Sequence, residues 1–172
     1  MNDLYNEILV KRKRTTQDNL IMVGLIALAA LLAFVGLFMI PVVLIAAMIA
    51  VAACIYIIPG LNKEYEYLYV NGDFDIDLIR AKQRRKRVAS YSIDQLEMVA
   101  PSTSHELDSY RQRSGAVVKN FTSLEENVPS VTLVYQTEKA TELVMLEIGE
   151  DIIKDLRRLA PRKISRECLM LR

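Results

Sequence analysis

The sequence has no tryptophan, one histidine and two cysteines among its 172 residues. The cysteines, Cys54 and Cys168, stand far apart, so the chain lacks the closely spaced Cys and His ligands of a structural zinc site. The six glycines are scattered, which argues against a glycine-rich phosphate-binding loop. His105 lies between Ser104 and Asp108, but adjacency in sequence does not create a catalytic triad. We therefore predict a protein that is not an enzyme, with no catalytic residue, no cofactor and no metal.

Charge is also missing from one long segment. Residues 20–58 contain no charged residue, and the other 133 residues carry all 43 charges. A hydrocarbon core about 30 Å thick is crossed by about 20 helical residues, so this segment is too long for one crossing and fits two. We predict a transmembrane helical hairpin over residues 19–59, with helices at about 19–38 and 41–58. Pro41 marks the break, because proline begins a helix more readily than it continues one.

Basic residues flank the uncharged segment on both sides, and its tip has none. They are Lys11, Arg12, Lys13 and Arg14 before it, and Lys63, Arg80, Lys82, Arg84, Arg85, Lys86 and Arg87 after it. Lysine and arginine are enriched on the cytoplasmic side of membrane proteins. The pattern therefore predicts a cell-membrane protein that crosses twice and keeps both termini in the cytoplasm.

Small residues recur in both predicted helices. They are Ala29, Ala33, Ala46, Ala50 and Ala53. Such residues let helices approach closely. They indicate packing within the hairpin or a seam between copies in a homo-oligomer.

Residues 1–18 are predicted to form a cytoplasmic leader. Leu4, Tyr5, Ile8 and Leu9 fall at helical spacing, with polar residues between them. This spacing predicts an amphipathic helix at the membrane surface. The basic run at 11–14 either sets the topology alone or also attracts anionic lipid.

Residues 60–172 are predicted to form a mainly-β cytoplasmic domain with a net charge of zero. Alternating apolar and polar residues predict seven antiparallel strands. The strands lie near 65–69, 74–78, 85–92, 96–99, 116–122, 131–137 and 141–148. Asn71-Gly72 predicts a tight hairpin turn, and Asp73, Asp75 and Asp77 after it are expected to form a solvated strand face.

One amphipathic helix follows the strands, at residues 150–159. Ile152, Ile153, Leu156 and Leu159 lie on one face, and acidic residues at its start and basic residues at its end complement the helix dipole. Seven antiparallel strands form a sandwich or a partial barrel, and this helix can cover its open end.

This layout resembles the bacterial pleckstrin-homology-like (PH-like) membrane proteins, in which a hydrophobic hairpin precedes a domain of seven strands and one helix. The most similar stretch runs from Gly72 to Val99 and includes Arg84-Arg85-Lys86-Arg87 and the segment 92–99. Segments 99–101, 120–123 and 160–163 are also similar to an uncharacterised family of small two-helix membrane proteins of Gram-positive bacteria. The resemblance implies a PH-like fold and no established activity.

Two basic clusters are the predicted contact sites. The first cluster is Arg80, Lys82, Arg84, Arg85, Lys86 and Arg87, and the second cluster is Arg157, Arg158, Arg162 and Lys163. A basic group held near an anionic membrane contributes about 1 kcal/mol. The clusters therefore either bind anionic headgroups or serve only as solvated charges and topology signals. Nucleic acid is not favoured, because the domain is neutral and no aromatic residue interleaves with the basic run.

The sequence thus predicts a non-enzymatic, membrane-anchored PH-like module that binds lipid headgroups or a protein partner at the cytoplasmic face. The alternative is a small accessory or structural subunit of a larger membrane complex, recognised through the helix hairpin. No small-molecule substrate is indicated.

Overall fold

The computed structural model describes residues 5–138 and 140–170. The strands are β1 (Tyr5–Lys11), β2 (Lys63–Val70), β3 (Asp73–Arg80), β4 (Arg84–Tyr91), β5 (Leu96–Pro101), β6 (Val117–Asn120), β7 (Val131–Gln136) and β8 (Thr141–Leu146). The α-helices are α1 (Thr16–Phe38), α2 (Val43–Gly60), α3 (Asp108–Arg111) and α4 (Glu150–Leu159). Lys139, between the strands predicted at 131–137 and 141–148, lies outside the described residues.

The chain divides into two compact units. The hairpin unit comprises Lys13–Lys63 and Ile79–Arg84. The β unit comprises residues 5–12, Glu64–Leu78 and residues from Arg85 onward.

The hairpin unit contains α1 and α2, which are both long and apolar enough to cross a membrane by length and composition. Thr15 begins α1 with a capping box, because its hydroxyl accepts from the Asp18 backbone N–H while the Asp18 carboxylate accepts from the Thr15 N–H. The helices approach closely at Gly36, where a Cβ would lie 2.9 Å from the backbone nitrogen of Leu44. Ala29 and Ala47 are buried in the same hairpin, whereas Ala46, one of the predicted small residues, is exposed. Only some of the small residues therefore pack between these helices.

The β unit is a sandwich of two four-stranded sheets. The first sheet has the order β1-β2-β3-β4, and the second has the order β5-β7-β8-β6. Apolar side chains of both sheets and of α4 form one core, with Tyr67, Phe74, Leu133 and Leu156 fully buried. Two sheets with a C-terminal helix confirm the predicted PH-like fold class, and α4 has the predicted bounds.

The interpretation of the first residues as an amphipathic helix is wrong. β1 pairs with β2 in antiparallel register, from Tyr5 opposite Val70 to Lys11 opposite Glu64. Val10 is buried in the core while Leu9 is exposed, so the side chains follow the two-residue period of a strand. A short isolated helix is only marginally stable, whereas pairing with β2 gives this segment hydrogen bonds to a neighbouring strand. Leu4, part of the predicted helix, lies outside the described residues.

The prediction that all strands are antiparallel is also wrong. β6 runs parallel to β8, from Val117 opposite Glu142 to Asn120 opposite Met145. After β5, residues 102–116 carry the chain past β7 and β8 to the far edge of the sheet. Leu107, in the helical turn within this connection, packs against Val134 and Leu143 and covers that face of the sheet.

Candidate functional site

Two arginines of the first basic cluster, Arg85 and Arg87, are ion-paired with carboxylates of the first sheet. Arg85 pairs with Glu66, and its Nε lies 2.9 Å from Asp77 Oδ2. Arg87 Nε lies 3.3 Å from Asp77 Oδ1. Asp77 is only 6% exposed, so the prediction of a solvated face is wrong at this residue. Its charge is compensated by two arginines of the adjacent strand, as burial of a carboxylate requires.

The other two aspartates of β3 also have specific partners. Asp75 accepts a hydrogen bond from the Ser90 hydroxyl at 2.6 Å and pairs with Arg87 at 3.0 Å. Asp73 is exposed and accepts from the Ile93 backbone N–H at 3.0 Å. This acidic row therefore anchors β4 and the segment that follows it.

The remaining residues of the first cluster surround the turn between β3 and β4. The Gln83 N–H donates to the Arg80 carbonyl at 3.2 Å, and Ala81 and Lys82 have φ angles of 51° and 57°. These features define a type I′ turn, which matches the twist of a hairpin but favours asparagine and glycine. The turn is tied to the end of α2, because the Ala81 N–H donates to the Asn62 carbonyl at 3.3 Å.

Arg84 lies against the last turns of α2. Its guanidinium carbon is 5.8 Å from the centre of the Tyr56 ring, and one guanidinium nitrogen lies 3.3 Å from the Tyr56 hydroxyl. The end of α2 and the β3–β4 turn enclose a cleft of about 510 Å³, with Ile55, Pro59 and Arg80 also on its walls. We call it the base cleft. It combines apolar and cationic walls within the hairpin unit.

The second basic cluster also contains side chains with and without a carboxylate partner. Arg158 pairs with Asp155 at 2.7 Å, and Asp155 also accepts from the Tyr69 hydroxyl at 2.7 Å. Burial and the Asp155 carboxylate raise the pKa of Tyr69 well above its ordinary value. Arg157 is exposed and has no carboxylate partner within the described part of the chain.

Arg162 and Lys163 line a groove of about 380 Å³ at the end of α4, whose apolar walls include Ile93 and Leu159. The Val99 N–H donates to the Lys163 carbonyl at 2.8 Å, so this segment lies along the edge of β5. Lys163 Nζ is 3.5 Å from the Ile93 carbonyl. The groove therefore presents Arg162 as its open cationic group.

A partly buried polar triad joins β4 of the first sheet to β6 and β8 of the second, where sequence reasoning placed no site. Lys119 Nζ is 2.6 Å from Glu142 Oε2, and the Tyr91 hydroxyl donates to the same oxygen at 2.7 Å. Burial alone would raise the pKa of Glu142, but bonds from Lys119 and Tyr91 outweigh it and lower the pKa. The ring of Tyr91 stacks on Tyr135, with centroids 4.4 Å apart. The Tyr91 hydroxyl, Lys119 Nζ and Glu142 Oε2 are bonded to one another, which is typical of a structural network.

The nucleophilic and basic candidates of the sequence are also located. Burial raises the pKa of the Cys168 thiol to about 11, so the thiol is protonated at neutral pH. His105 is fully exposed and its Nδ1 lies 3.1 Å from Asp108 Oδ2. The Ser104 hydroxyl instead accepts from the Glu106 backbone N–H and caps the helical turn. His105 and Ser104 thus have the contacts of a helical turn, and Cys168 is a buried thiol.

A family model described as "Bacterial PH-like domain (DUF6106)" matches residues 2–166 of the chain. The chain belongs to this family. The match confirms the resemblance drawn from the sequence, and it includes β1 and the helical hairpin, so the PH-like family unit contains both. No curated protein and no solved structure matches the chain significantly.

The PH-like structure thus separates the predicted contact residues into two kinds. Arg85, Arg87 and Arg158 have carboxylate partners in the fold, and whether any of the ten binds a ligand stays a prediction. Those without a carboxylate partner within the described part of the chain, called unpaired below, are Arg80, Lys82, Arg84, Lys86, Arg157, Arg162 and Lys163. Sequence reasoning missed Tyr56, although an aromatic residue near the end of an apolar helix is a known interfacial signal.

Proposed function

We propose that this PH-like protein is a non-enzymatic module anchored in the cell membrane by two crossings, with both termini in the cytoplasm, and that its unpaired basic side chains bind anionic lipid headgroups. The observation that carries the proposal is the register of β1 with β2. Lys11 and Glu64 are paired neighbours, although the whole hairpin lies between them in the chain. Paired residues of antiparallel strands lie about 5 Å apart, and this supports a hairpin in which α1 begins and α2 ends on the same side of the membrane.

The surface of the helices supports a hydrocarbon environment. Large apolar side chains are exposed around both helices, including Leu31 and Phe34 on α1 and Ile49 and Ile55 on α2. Soluble proteins rarely expose apolar surface on this scale. With 23 and 18 residues, α1 and α2 span about 35 Å and 27 Å, close to the roughly 30 Å of a bilayer core.

The positions of the charges support the orientation. Basic residues such as Lys13 and Arg14 precede α1, whereas residues 39–42 at the tip are uncharged. The greater density of lysine and arginine beside the β unit favours a cytoplasmic β unit. The non-enzymatic part of the proposal is supported by the protonated Cys168 thiol and the solvated His105.

Cysteine labelling tests the topology. Ile40→Cys at the tip and Thr103→Cys on an exposed loop of the β unit are placed singly in a full chain that carries Cys54→Ser and Cys168→Ser. A maleimide that cannot cross membranes is expected to label the tip in intact cells, and Thr103→Cys only after the cells are opened. Labelling of Thr103→Cys in intact cells, or recovery of the full chain outside the membrane fraction, would contradict the proposal.

Lipid binding is tested on the purified full chain in mild detergent, by native mass spectrometry with phosphatidylglycerol or phosphatidylcholine. The test variant neutralises three unpaired cations, Lys86, Arg157 and Arg162, to glutamine. The matched control neutralises three exposed cations that already have carboxylate partners. The control residues are Arg111, Arg113 and Lys154. Both variants change the net charge equally.

We expect preferential retention of phosphatidylglycerol by the wild type and the control, and a clear loss in the test variant, because only unpaired cations are free to bind phosphate. Equal retention by all three proteins would refute headgroup binding by these residues. Co-purification of a stoichiometric protein partner with no lipid preference would instead support an accessory subunit.

A further inference from the structure

The base cleft has walls of two opposite chemistries. Ile55 is 72% exposed and Pro59 lies beside it on the apolar wall. Arg80 and Arg84 form the cationic wall, and neither has a carboxylate partner within the residues that the structure describes. An occupant that satisfies both walls carries negative charge at one end and hydrocarbon at the other.

The cationic wall is held in place before any ligand arrives. The side chain of Asn62 accepts from Arg14 Nε at 2.9 Å, while its carbonyl accepts from the Ala81 N–H. The type I′ turn fixes the backbone of Arg80, and the Tyr56 ring orients the guanidinium of Arg84. A preorganised arginine such as Arg84 binds phosphate with less loss of side-chain entropy than a freely rotating chain.

The depth of the cleft along α2 suits the boundary between hydrocarbon and headgroups. Tyr56 lies four residues before the end of α2 at Gly60, which is about 6 Å along the helix axis. Tyrosine is favoured at this level of a bilayer, because its ring is apolar and its hydroxyl is polar. Arg84 donates from the polar side of this tyrosine, and Ile55 lies on the apolar side of the cleft.

We propose that the base cleft binds one anionic phospholipid of the surrounding bilayer. Arg80 and Arg84 hold the phosphate, Tyr56 lies beside the glycerol region, and an acyl chain follows the apolar wall at Ile55. The inference rests on the proposed function, because α2 must cross the membrane for a bilayer lipid to reach this depth. An intact lipid fits better than free phosphate, because free phosphate satisfies only the cationic wall and makes no contact with the apolar wall.

The test uses native mass spectrometry of the full chain in mild detergent with titrated phosphatidylglycerol. Arg84→Gln is expected to weaken the tightest lipid site about tenfold, since it removes charge-assisted hydrogen bonds to phosphate. Arg113→Gln is the matched control: it removes the same charge from an exposed arginine outside the cleft, and this arginine pairs with Glu97 and also lies over a tyrosine ring, that of Tyr110. It should leave the tightest site unchanged. Equal affinity of Arg84→Gln and wild type overturns the proposal.

Two further measurements identify the ligand. Ile55→Asn should weaken phosphatidylglycerol binding, and glycerol 3-phosphate should compete poorly with the lipid. Full competition by glycerol 3-phosphate or by inorganic phosphate would overturn the assignment of the ligand as a lipid and indicate a soluble phosphate ligand. If Arg84→Gln fails to fold, as judged by circular dichroism, the affinities of Tyr56→Ala and Ile55→Asn for the tightest lipid are compared with that of Arg113→Gln, and equal affinities would overturn the proposal.

Failure of this inference and failure of the proposed function give different results. If Arg84→Gln binds lipid with wild-type affinity and Thr103→Cys is still protected in intact cells, the lipid site in the base cleft is refuted and the anchored module is not. Labelling of Thr103→Cys in intact cells refutes the proposed topology, whatever lipid is bound in detergent.

Discussion

Tyr69 and Tyr135 differ in how their buried hydroxyls are satisfied. Tyr69 donates to Asp155 at 2.7 Å, whereas the Tyr135 hydroxyl has no partner within the described residues. Tyr69→Phe should lower the free energy of unfolding by about 1–2 kcal/mol, while Tyr135→Phe should leave it unchanged or raise it by up to about 1 kcal/mol. Thermal unfolding of the full chain in mild detergent measures both. Equal losses would show that Tyr135 has a partner, such as a buried water.

Glu142 predicts a pH dependence of stability. Its folded pKa lies below the ordinary value of 4.5, so its ionised form contributes stability that is present above pH 4.5 and is lost as the pH falls through the folded pKa. Glu142→Gln should therefore be less stable than wild type near neutral pH, and the gap should narrow as the medium becomes acidic. Melting temperatures measured across this range test the sign. Glu126→Gln, on an exposed loop, should show no such gap.

Single residues show what sequence can predict about the candidate site. The two basic clusters were recognisable because charge is visible in the sequence. The pairing of Arg85 with Asp77 was not, since it depends on β4 lying next to β3 in the sheet. The same holds for Arg84 and Tyr56, which are 28 positions apart and meet only through the fold.

Among the elements, the β2–β3 turn depends on Gly72. Its φ is +99°, and a Cβ at this residue would lie 2.6 Å from Ile93 Cδ1. Gly115 has a similar φ of +81° but open space around it. Gly115→Ala should cost about 1 kcal/mol from backbone strain alone, and Gly72→Ala should cost about 1–3 kcal/mol more through crowding. Chemical denaturation of the two variants measures the difference, and equal costs would mean that Ile93 yields freely.

The alternating burial along β1 predicts a large effect and a small effect of the same substitution at adjacent residues. Val10 is 6% exposed and Leu9 is 53% exposed. Val10→Asp should lower the free energy of unfolding by at least about 2 kcal/mol, because it buries a carboxylate in the core. Leu9→Asp should change it by less than about 0.5 kcal/mol. Melting of the two full-length variants distinguishes them, and a larger loss at Leu9 would contradict the register of β1.

Periodicity predicted most elements, and its two errors have physical causes. The seven residues of β1 are too few to distinguish a helical from a strand period. They form a strand because β2 offers them an edge with which to pair. The direction of β6 is not encoded in its own four residues, because it depends on the path taken by residues 102–116. By contrast, Glu150–Leu159 has ten residues and one apolar face, and its helix was predicted in full.

At the scale of the whole molecule, the hairpin is an insertion within the first sheet. Replacing residues 12–63 with Asn-Gly would join Lys11 to Glu64 through a two-residue type I′ turn. The resulting chain should be soluble without detergent and retain the β-sheet circular dichroism of the β unit, although it loses the bonds from Arg12 to Tyr65 and Asn120. Cooperative thermal unfolding would support this expectation, whereas aggregation on purification would show that the sheet depends on the hairpin.

The pairing of β1 with β2 also imposes an order on synthesis. β1 leaves the ribosome first, but its partner positions follow up to 65 residues later, after both helices. At about 5–20 residues per second, the strand waits for several seconds with its edge unpaired. Under the proposed topology, the sheet closes only after both helices have crossed and α2 has returned the chain to the starting side. A chain whose second helix failed to insert would then keep the edges of β1 and β2 unpaired, which exposes them to aggregation.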